Sequence, residues 1–247
     1  MSRFFVEGKD ITASEIVINN SEDIHHITNV LRLKAGMEIE ISDSKEWEYI
    51  AALTSVSQDG VHAKILDKSR FSREPAIKIT LFQCIPKQGK IESIIQKSVE
   101  LGVCAIIPVI SARTIIAEGG NIKNKTVRWR KIAGEAAKQC RRGAVPEVAE
   151  VTLFSGLIDE FNREKYEMMI FPNENEKEYS IKDALKSLIK PPRTLSVVIG
   201  PEGGYSEEEV EALKATGAKS VSLGKTILRT ETAGPAAIAM IMYELEL

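Results

Sequence analysis

The sequence predicts an α/β domain built on a mostly parallel sheet, preceded by a small β-rich domain. Three observations predict it. Residues 1 to about 72 alternate apolar and polar residues over short runs, the pattern of half-buried strands. From Ile77 onward, apolar strand-type runs alternate with amphipathic helical stretches to the end of the chain, the pattern of a parallel sheet covered on both faces. Finally, two glycine-bearing turns, at Gly200-Pro201-Glu202-Gly203-Gly204 and at Gly224, follow two successive strand-type runs. Open α/β sheets place ligands at such ends.

The elements follow in order. Ser2 to Val6, Glu15 to Ile18, Met37 to Ser42, Glu48 to Val56 and Gly60 to Leu66 read as strands. Gly8, Asn19-Asn20, Gly36 and Asp59-Gly60 supply turns. Ser21 to Leu33 reads as the one helix of this region, with Ser21 as N-cap and Ile24, Ile27, Val30 and Leu31 on one stripe. Ser69 to Pro75 reads as a linker, which divides the chain into domains 1–72 and 73–247. Beyond it come a strand from Ile77 to Ile85, a helix from Ile91 to Leu101 ended by Gly102, and a strand from Cys104 to Ile110. A basic helix from Val127 to Arg142 stops at Gly143 and Pro146. Strands are expected at Val148 to Leu153, Glu167 to Phe171, Leu195 to Ile199 and Ser220 to Leu223, with helices near Ser155 to Asn162, near Ser180 to Leu188 and after Tyr205. An apolar helix closes the chain.

With 247 residues, 43% of them hydrophobic, the chain can bury a sizeable core. No apolar run is long enough to span a bilayer, and the N-terminus carries charges where a signal peptide needs an apolar stretch. Cys84, Cys104 and Cys140 lack metal-ligand spacing and read as small buried thiols of a reduced, cytosolic protein; no metal is expected. The net charge of −2 hides an asymmetry. Between Lys123 and Arg142, eight cations face one acid, Glu135, leaving +7 over twenty residues. Lys125, Arg128, Arg130, Lys131, Lys138 and Arg141 are the other members. A run so poor in acids points to a polyanion partner more than to a solvated helix face.

Several chemistries are excluded. Gly224-Lys225-Thr226 resembles the end of a P-loop, but Lys219 stands where that pattern needs its first glycine. There is no GxGxxG after a strand, no GxSxG and no HExxH. In the glycine-rich turn, Pro201 fixes direction, while Gly203 and Gly204 allow positive φ and close approach of a ligand. Arg229 and Glu231 fall at the start of the last helix, beside its free N–H groups. His25 and His26 read more readily as structural than as catalytic groups, and Arg32 and Lys34 as phosphate contacts or plain surface charges.

These stretches carry a resemblance. IGPEGGYSEEE (residues 199–209) and SLGKTILRTETA (residues 222–233) resemble the signature of the ribosomal RNA small-subunit methyltransferase E family, in the SPOUT class of knotted methyltransferases. HHITNVLRLKAGMEIEISD is similar to that family's N-terminal domain, and KQGKIESIIQKSVELGVCAIIPVISART and IAGEAAKQCRRGAVPEV to its catalytic domain. Gly234-Pro235 departs from the pattern, with Pro235 expected inside the first helical turn.

The resemblance implies a PUA-like β-barrel followed by an α/β domain with a trefoil-knotted parallel sheet. It also implies a homodimer, S-adenosyl-L-methionine as donor, and 3-methyluridine in small-subunit (16S) ribosomal RNA as product, made in the assembled subunit. The donor would lie among Pro172, Ile199, Gly200, Pro201, Glu202, Gly203, Leu223, Gly224, Ile227, Leu228, Thr232 and Ala233. Arg229 is the candidate clamp on the uracil oxygens and Glu231 the candidate base or orienter, with Glu202 as rival base. RNA contacts are expected from Arg3, His26, Arg32, Lys34, Lys87, Arg113, Arg141 and Arg142, of which Arg113 and Arg142 would reach across a dimer interface. The competing readings are a knotted methyltransferase for another RNA position and a non-catalytic RNA-binding assembly factor.

Overall fold

The computed structural model describes residues 1–115, 122–163 and 166–246, apart from the side chain of Lys123. The basic-run expectation for Lys123 therefore lies outside the described residues. Two compact units emerge: Met1–Glu74 with Ala137–Val145, and Pro75–Ala136 with Pro146–Leu247.

The first unit holds β1 (Arg3–Phe5), β2 (Glu15–Ile18), β3 (Glu38–Ser42), β4 (Trp47–Val56) and β5 (Val61–Arg70). They form one sheet in the order β1-β3-β4-β5-β2, antiparallel except for the parallel β1–β3 pair. Alternation does its work in β4, where Tyr49, Ala51 and Leu53 point into a core with Phe4, Ile16, Ile39 and Ile41. β5 runs into the stretch read as linker, because Ser69 and Arg70 pair with Glu48 and Trp47.

The helix expected from Ser21 to Leu33 is shorter and irregular. α1 spans Ser21–His25, and its N-cap is Asn20, not Ser21; the Asn20 side chain accepts from the N–H groups of Glu22 and Asp23. A π-helical turn, His26–Val30, follows. Thr28 donates its hydroxyl to the Ile24 carbonyl at 2.8 Å. Such back-bonding competes with the regular ladder, and Arg32 at φ 53° ends the turn.

In the second unit, β6 (Lys78–Cys84), β7 (Ala105–Ile110), β8 (Glu147–Val148), β9 (Thr152–Leu153), β10 (Met168–Pro172), β11 (Thr194–Ile199) and β12 (Lys219–Val221) form a parallel sheet. Its order is β12-β10-β11-β6-β7-β8, with β9 also on β7. β6 and β11 are buried on both faces, which explains their unbroken apolar runs. The strand expected from Val148 to Leu153 is split in two. Residues 149–151 leave the sheet opposite Ile107 and Pro108 of β7, and Pro108 brings no N–H to a ladder.

Helices α2 (Ile91–Glu100), α3 (Ile122–Gln139), α4 (Phe154–Arg163), α5 (Ile181–Lys186), α6 (Glu207–Ala215) and α7 (Thr230–Leu245) complete the unit, with the end of α3 belonging to the first unit. Ser180 and Ser206 start α5 and α6 through capping boxes. α3 ends at Gln139, short of the expected Arg142, and Arg141 adopts φ 59°. Beyond it, Gly143 must be glycine, because a Cβ would sit 2.5 Å from the Phe71 ring. Pro235 is the sixth residue of α7, not part of its first turn. It removes the N–H that would reach the Glu231 carbonyl.

Candidate functional site

Parallel pairing puts the carboxyl ends of β10, β11 and β12 on one edge of the sheet. The chain leaves them at Pro172, Ile199 and Val221. The two glycine-bearing turns follow β11 and β12, but β10 lies between those strands and brings a third loop. The segments around these ends enclose a cleft of about 1100 Å³. Its walls include Pro172, Ile199, Gly200, Pro201, Glu202, Leu223, Gly224, Ile227, Leu228, Ala233, Arg229 and Glu231. Gly203 and Thr232 are not among the wall residues. Thr232 is exposed on the first turn of α7, and the Gly203 carbonyl instead accepts from Arg113 Nη1 at 2.8 Å.

The turn after β11 is built by specific contacts. Gly204 takes φ 65°, whereas Gly203 does not take positive φ. A Cβ on Gly200 would meet the Tyr205 ring at 3.2 Å. Tyr205 packs edge-on against Phe171 and donates its hydroxyl to the Val198 carbonyl at 2.8 Å. Burial pushes its phenol well above the usual range. Thr230 donates to the Gly200 carbonyl at 2.7 Å, which joins this turn to α7. In the segment after β12, the N–H and C=O groups of residues 225–228 make no hydrogen bond among the described residues. A row of unpaired main-chain donors and acceptors is what a ligand edge can read.

Two carboxylates stand in different settings. Glu231 Oε1 lies 2.9 Å from Lys90 Nζ, and its Oε2 is enclosed without a partner among the described residues. The hydrogen bond from Lys90 holds the Glu231 carboxyl below its ordinary value. Glu202 is exposed and accepts the Lys87 N–H at 3.0 Å. Arg229 is exposed at the N-cap of α7. The loop after Pro172 and the 223–233 segment, Thr232 apart, line the cleft as the resemblance implies, whereas nothing in the sequence marks Lys90, Ser180 and Tyr205 as parts of this region. The 173–181 stretch is pinned by Asn173 N to Val221 O, Ser222 N to Tyr179 O and Ile181 N to Ser222 O.

The RNA methyltransferase domain family matches residues 72–242, and the RNA methyltransferase PUA domain matches residues 18–66. The chain is 36% identical over 251 residues to the ribosomal RNA small subunit methyltransferase E of Bacillus subtilis, covering 100% of this chain and 98% of that protein. The chain belongs to the ribosomal RNA small subunit methyltransferase E family. A crystal structure of the methyltransferase E of Neisseria gonorrhoeae bound to S-adenosyl methionine superposes with TM-score 0.88 at 30% identity, covering 99% and 98% of the two chains. A Legionella pneumophila structure, named as a putative methyltransferase in complex with the bound cofactor SAM, gives TM-score 0.84 at 27% identity, covering 98% and 96%.

Within this methyltransferase E chain, the residues expected to touch RNA separate into two groups. Arg3 and Arg142 are each only 5% exposed. Arg3 contacts Glu40, Glu48 and the carbonyls of Arg141 and Arg142; Arg142 is held by Glu74 at 2.6 Å. Both guanidiniums are internal struts, so neither is available to a phosphate. Arg32, Lys34, Lys87, Arg113 and Arg141 are exposed, and His26 is half-buried edge-on to Phe4.

The basic run is also less bare than its composition suggests. Arg128 pairs with Glu92, Arg130 with Glu150 and Lys138 with Asp23. The acids absent from the run arrive from other elements and, with Glu74 on Arg142, offset four of its charges. Among the described residues no helix is long and apolar enough to cross a membrane, and no cluster of metal-ligating side chains occurs.

Proposed function

We propose that this chain, a methyltransferase of its family that uses S-adenosyl-L-methionine, methylates N3 of a uridine in small-subunit (16S) ribosomal RNA. One observation carries the site assignment: a cleft of about 1100 Å³ at the carboxyl ends of three parallel strands, edged by unpaired main-chain groups of residues 225–228. These features fit the donor. Its adenine edge needs paired N–H and C=O groups, which residues 223–228 would supply. Pro172, Ile199, the 200–204 turn and Ala233 would enclose the rest. When bound, the donor supplies an electrophilic methyl group.

The chain's own residues must then prepare the base. Uracil N3 is a poor nucleophile until its proton leaves, so a carboxylate must accept that proton and a cation must meet the charge spreading to O2 and O4. Glu231 suits the orienting role, since its Oε1 is engaged by Lys90 and its Oε2 is enclosed. Glu202, exposed on the cleft wall like Glu174 and Glu207 and the one of the three in the glycine-rich turn, suits proton acceptance. Arg229, exposed at the same wall, would clamp a uracil oxygen. Holding N3 in line with the methyl group can itself supply several kcal/mol, on the order of 7 or more.

The proposal extends to the architecture. The five-stranded unit would close as a PUA-like barrel that receives RNA through Arg32, Lys34 and Arg141. The last segment would thread as a trefoil knot, and the cytoplasmic enzyme would work as a homodimer. Met240 and Tyr243 of α7 and Val127 of α3 are exposed apolar residues suited to a partner copy. The deciding experiment incubates the protein with labelled donor and small subunits lacking the modification, followed by nucleoside analysis. Labelled 3-methyluridine is expected. Another labelled nucleoside overturns the N3 assignment, and absence of donor binding favours the assembly-factor reading.

A further inference from the structure

Gln83 sits near the end of β6, fully buried; it does not itself line the cleft and meets its wall only through Thr230. Its amide donates twice, to the Cys84 carbonyl at 2.9 Å and to Thr230 Oγ1 at 3.0 Å. Thr230 in turn donates its single hydroxyl proton to the Gly200 carbonyl at 2.7 Å. The direction of this relay is over-determined. The Thr230 proton is committed to Gly200, so Thr230 can only accept from Gln83. A flipped amide would set its oxygen against the Cys84 carbonyl. Gln83 Oε1 is thereby left buried with no partner among the described residues. It faces Gly234, where a Cβ would stand 3.1 Å away. Leaving an amide oxygen unsatisfied opposes folding. A residue that keeps such an atom does so for what its other end holds.

What it holds is the geometry of two loops at once. Gly200 opens the turn after β11, and Thr230 is the first residue of α7. The relay ties the Gly200 carbonyl to the buried Thr230 hydroxyl. It also clamps α7 at a start that has no side-chain cap of its own. We propose that Gln83 is a positioning residue for the methyl donor: through Thr230 it sets the 200–204 turn and the 223–230 segment in one relative register. This rests on the reading that the cleft binds S-adenosyl-L-methionine.

The test measures donor binding by calorimetry, and separate KM values for donor and RNA, in Gln83→Met, Thr230→Val, Thr230→Ser and the Gln83→Met/Thr230→Val double variant. Gln83→Met keeps length and apolar packing while removing both donors. Wild-type protein must bind donor; if it does not, the functional reading fails before this one is reached. Given wild-type binding, Gln83→Met and Thr230→Val should each weaken donor affinity at least tenfold with unchanged KM for RNA. The double variant should be little worse than either, and Thr230→Ser, which keeps the hydroxyl, should bind like wild type. Donor affinity within twofold of wild type in Gln83→Met overturns the proposal. So does a loss shared equally between donor and RNA, or additive losses in the double variant.

Discussion

Adjacent glycines in the turn after β11 should respond differently to the same methyl group. Gly204 stands at φ 65°, and a Cβ added there would lie 3.3 Å from Glu174 Oε1. Gly203 has no positive φ, and its nearest neighbour, Arg113 Cβ, would be at 3.4 Å, an ordinary contact. An L-residue in the left-handed region costs about 1–2 kcal/mol. In Gly204→Ala that cost appears as lost stability if the turn keeps its shape. It appears as lost donor affinity if the turn relaxes. The two losses together should equal about 1–2 kcal/mol, so a fully relaxed turn means roughly five- to thirty-fold weaker donor binding. Gly203→Ala should be near neutral in both. Calorimetric titration with S-adenosyl-L-methionine, paired with denaturant melts, reads both quantities. If the two variants behave alike, whether both benign or both damaged, backbone conformation is not what makes this turn sensitive.

Other outcomes follow from the same contacts. Glu231 is held below the ordinary carboxylate value by Lys90; it stays ionised at neutral pH and protonates only when pH falls through that lowered value. Lys90→Met should therefore raise the pH at which the Glu231 carboxyl protonates, read by NMR titration; an unchanged value would show that Lys90 does not hold it. Glu74 is raised by burial but lowered more by Arg142 and the N–H groups of Ala144 and Gly143, with a net shift downward. Its contribution is present above the unfolded-state value and is lost as pH falls through the folded one. Glu74→Ala should cost roughly 1–3 kcal/mol at neutral pH by removing the acceptor shared by Arg142 and the N–H groups of Gly143 and Ala144, and much less in acid, as urea titrations at two pH values would show. Arg32→Ala should weaken RNA binding and flatten its salt dependence, whereas Arg142→Ala should chiefly lower the melting temperature. Burial pushes the Cys84 thiol up to about 12, so thiol reagents should modify it only as fast as the fold opens.

Much of this arrangement was legible in the sequence, for reasons that can be named. β6 and β11 announce themselves because both faces are buried, and the strand ends are marked by Gly200 and Gly224. What could not be read is long-range. Nothing local says that β10 lies between β11 and β12, or that Lys90 meets Glu231 across the cleft. The basic run misled because charge was counted along the chain, while its partners Glu92, Glu150 and Asp23 come from far away. Arg3 and Arg142 misled similarly, as an arginine's burial depends on acids invisible to local pattern. The helix after Asn20 was legible, but its π-helical second half was not; there the Thr28 hydroxyl takes the Ile24 carbonyl.

The first unit includes residues 137–145, made long after its last strand. Those residues supply the carbonyls that Arg3 caps, the Gly143 carbonyl that Ser42 Oγ reaches, and the N–H groups and guanidinium that Glu74 gathers. A chain made only to residue 74 therefore lacks partners that the later segment brings to Arg3, Ser42 and Glu74. Its completion waits for the basic helix to emerge, so cutting the gene at the apparent linker would yield a frayed fragment and not a free-standing module.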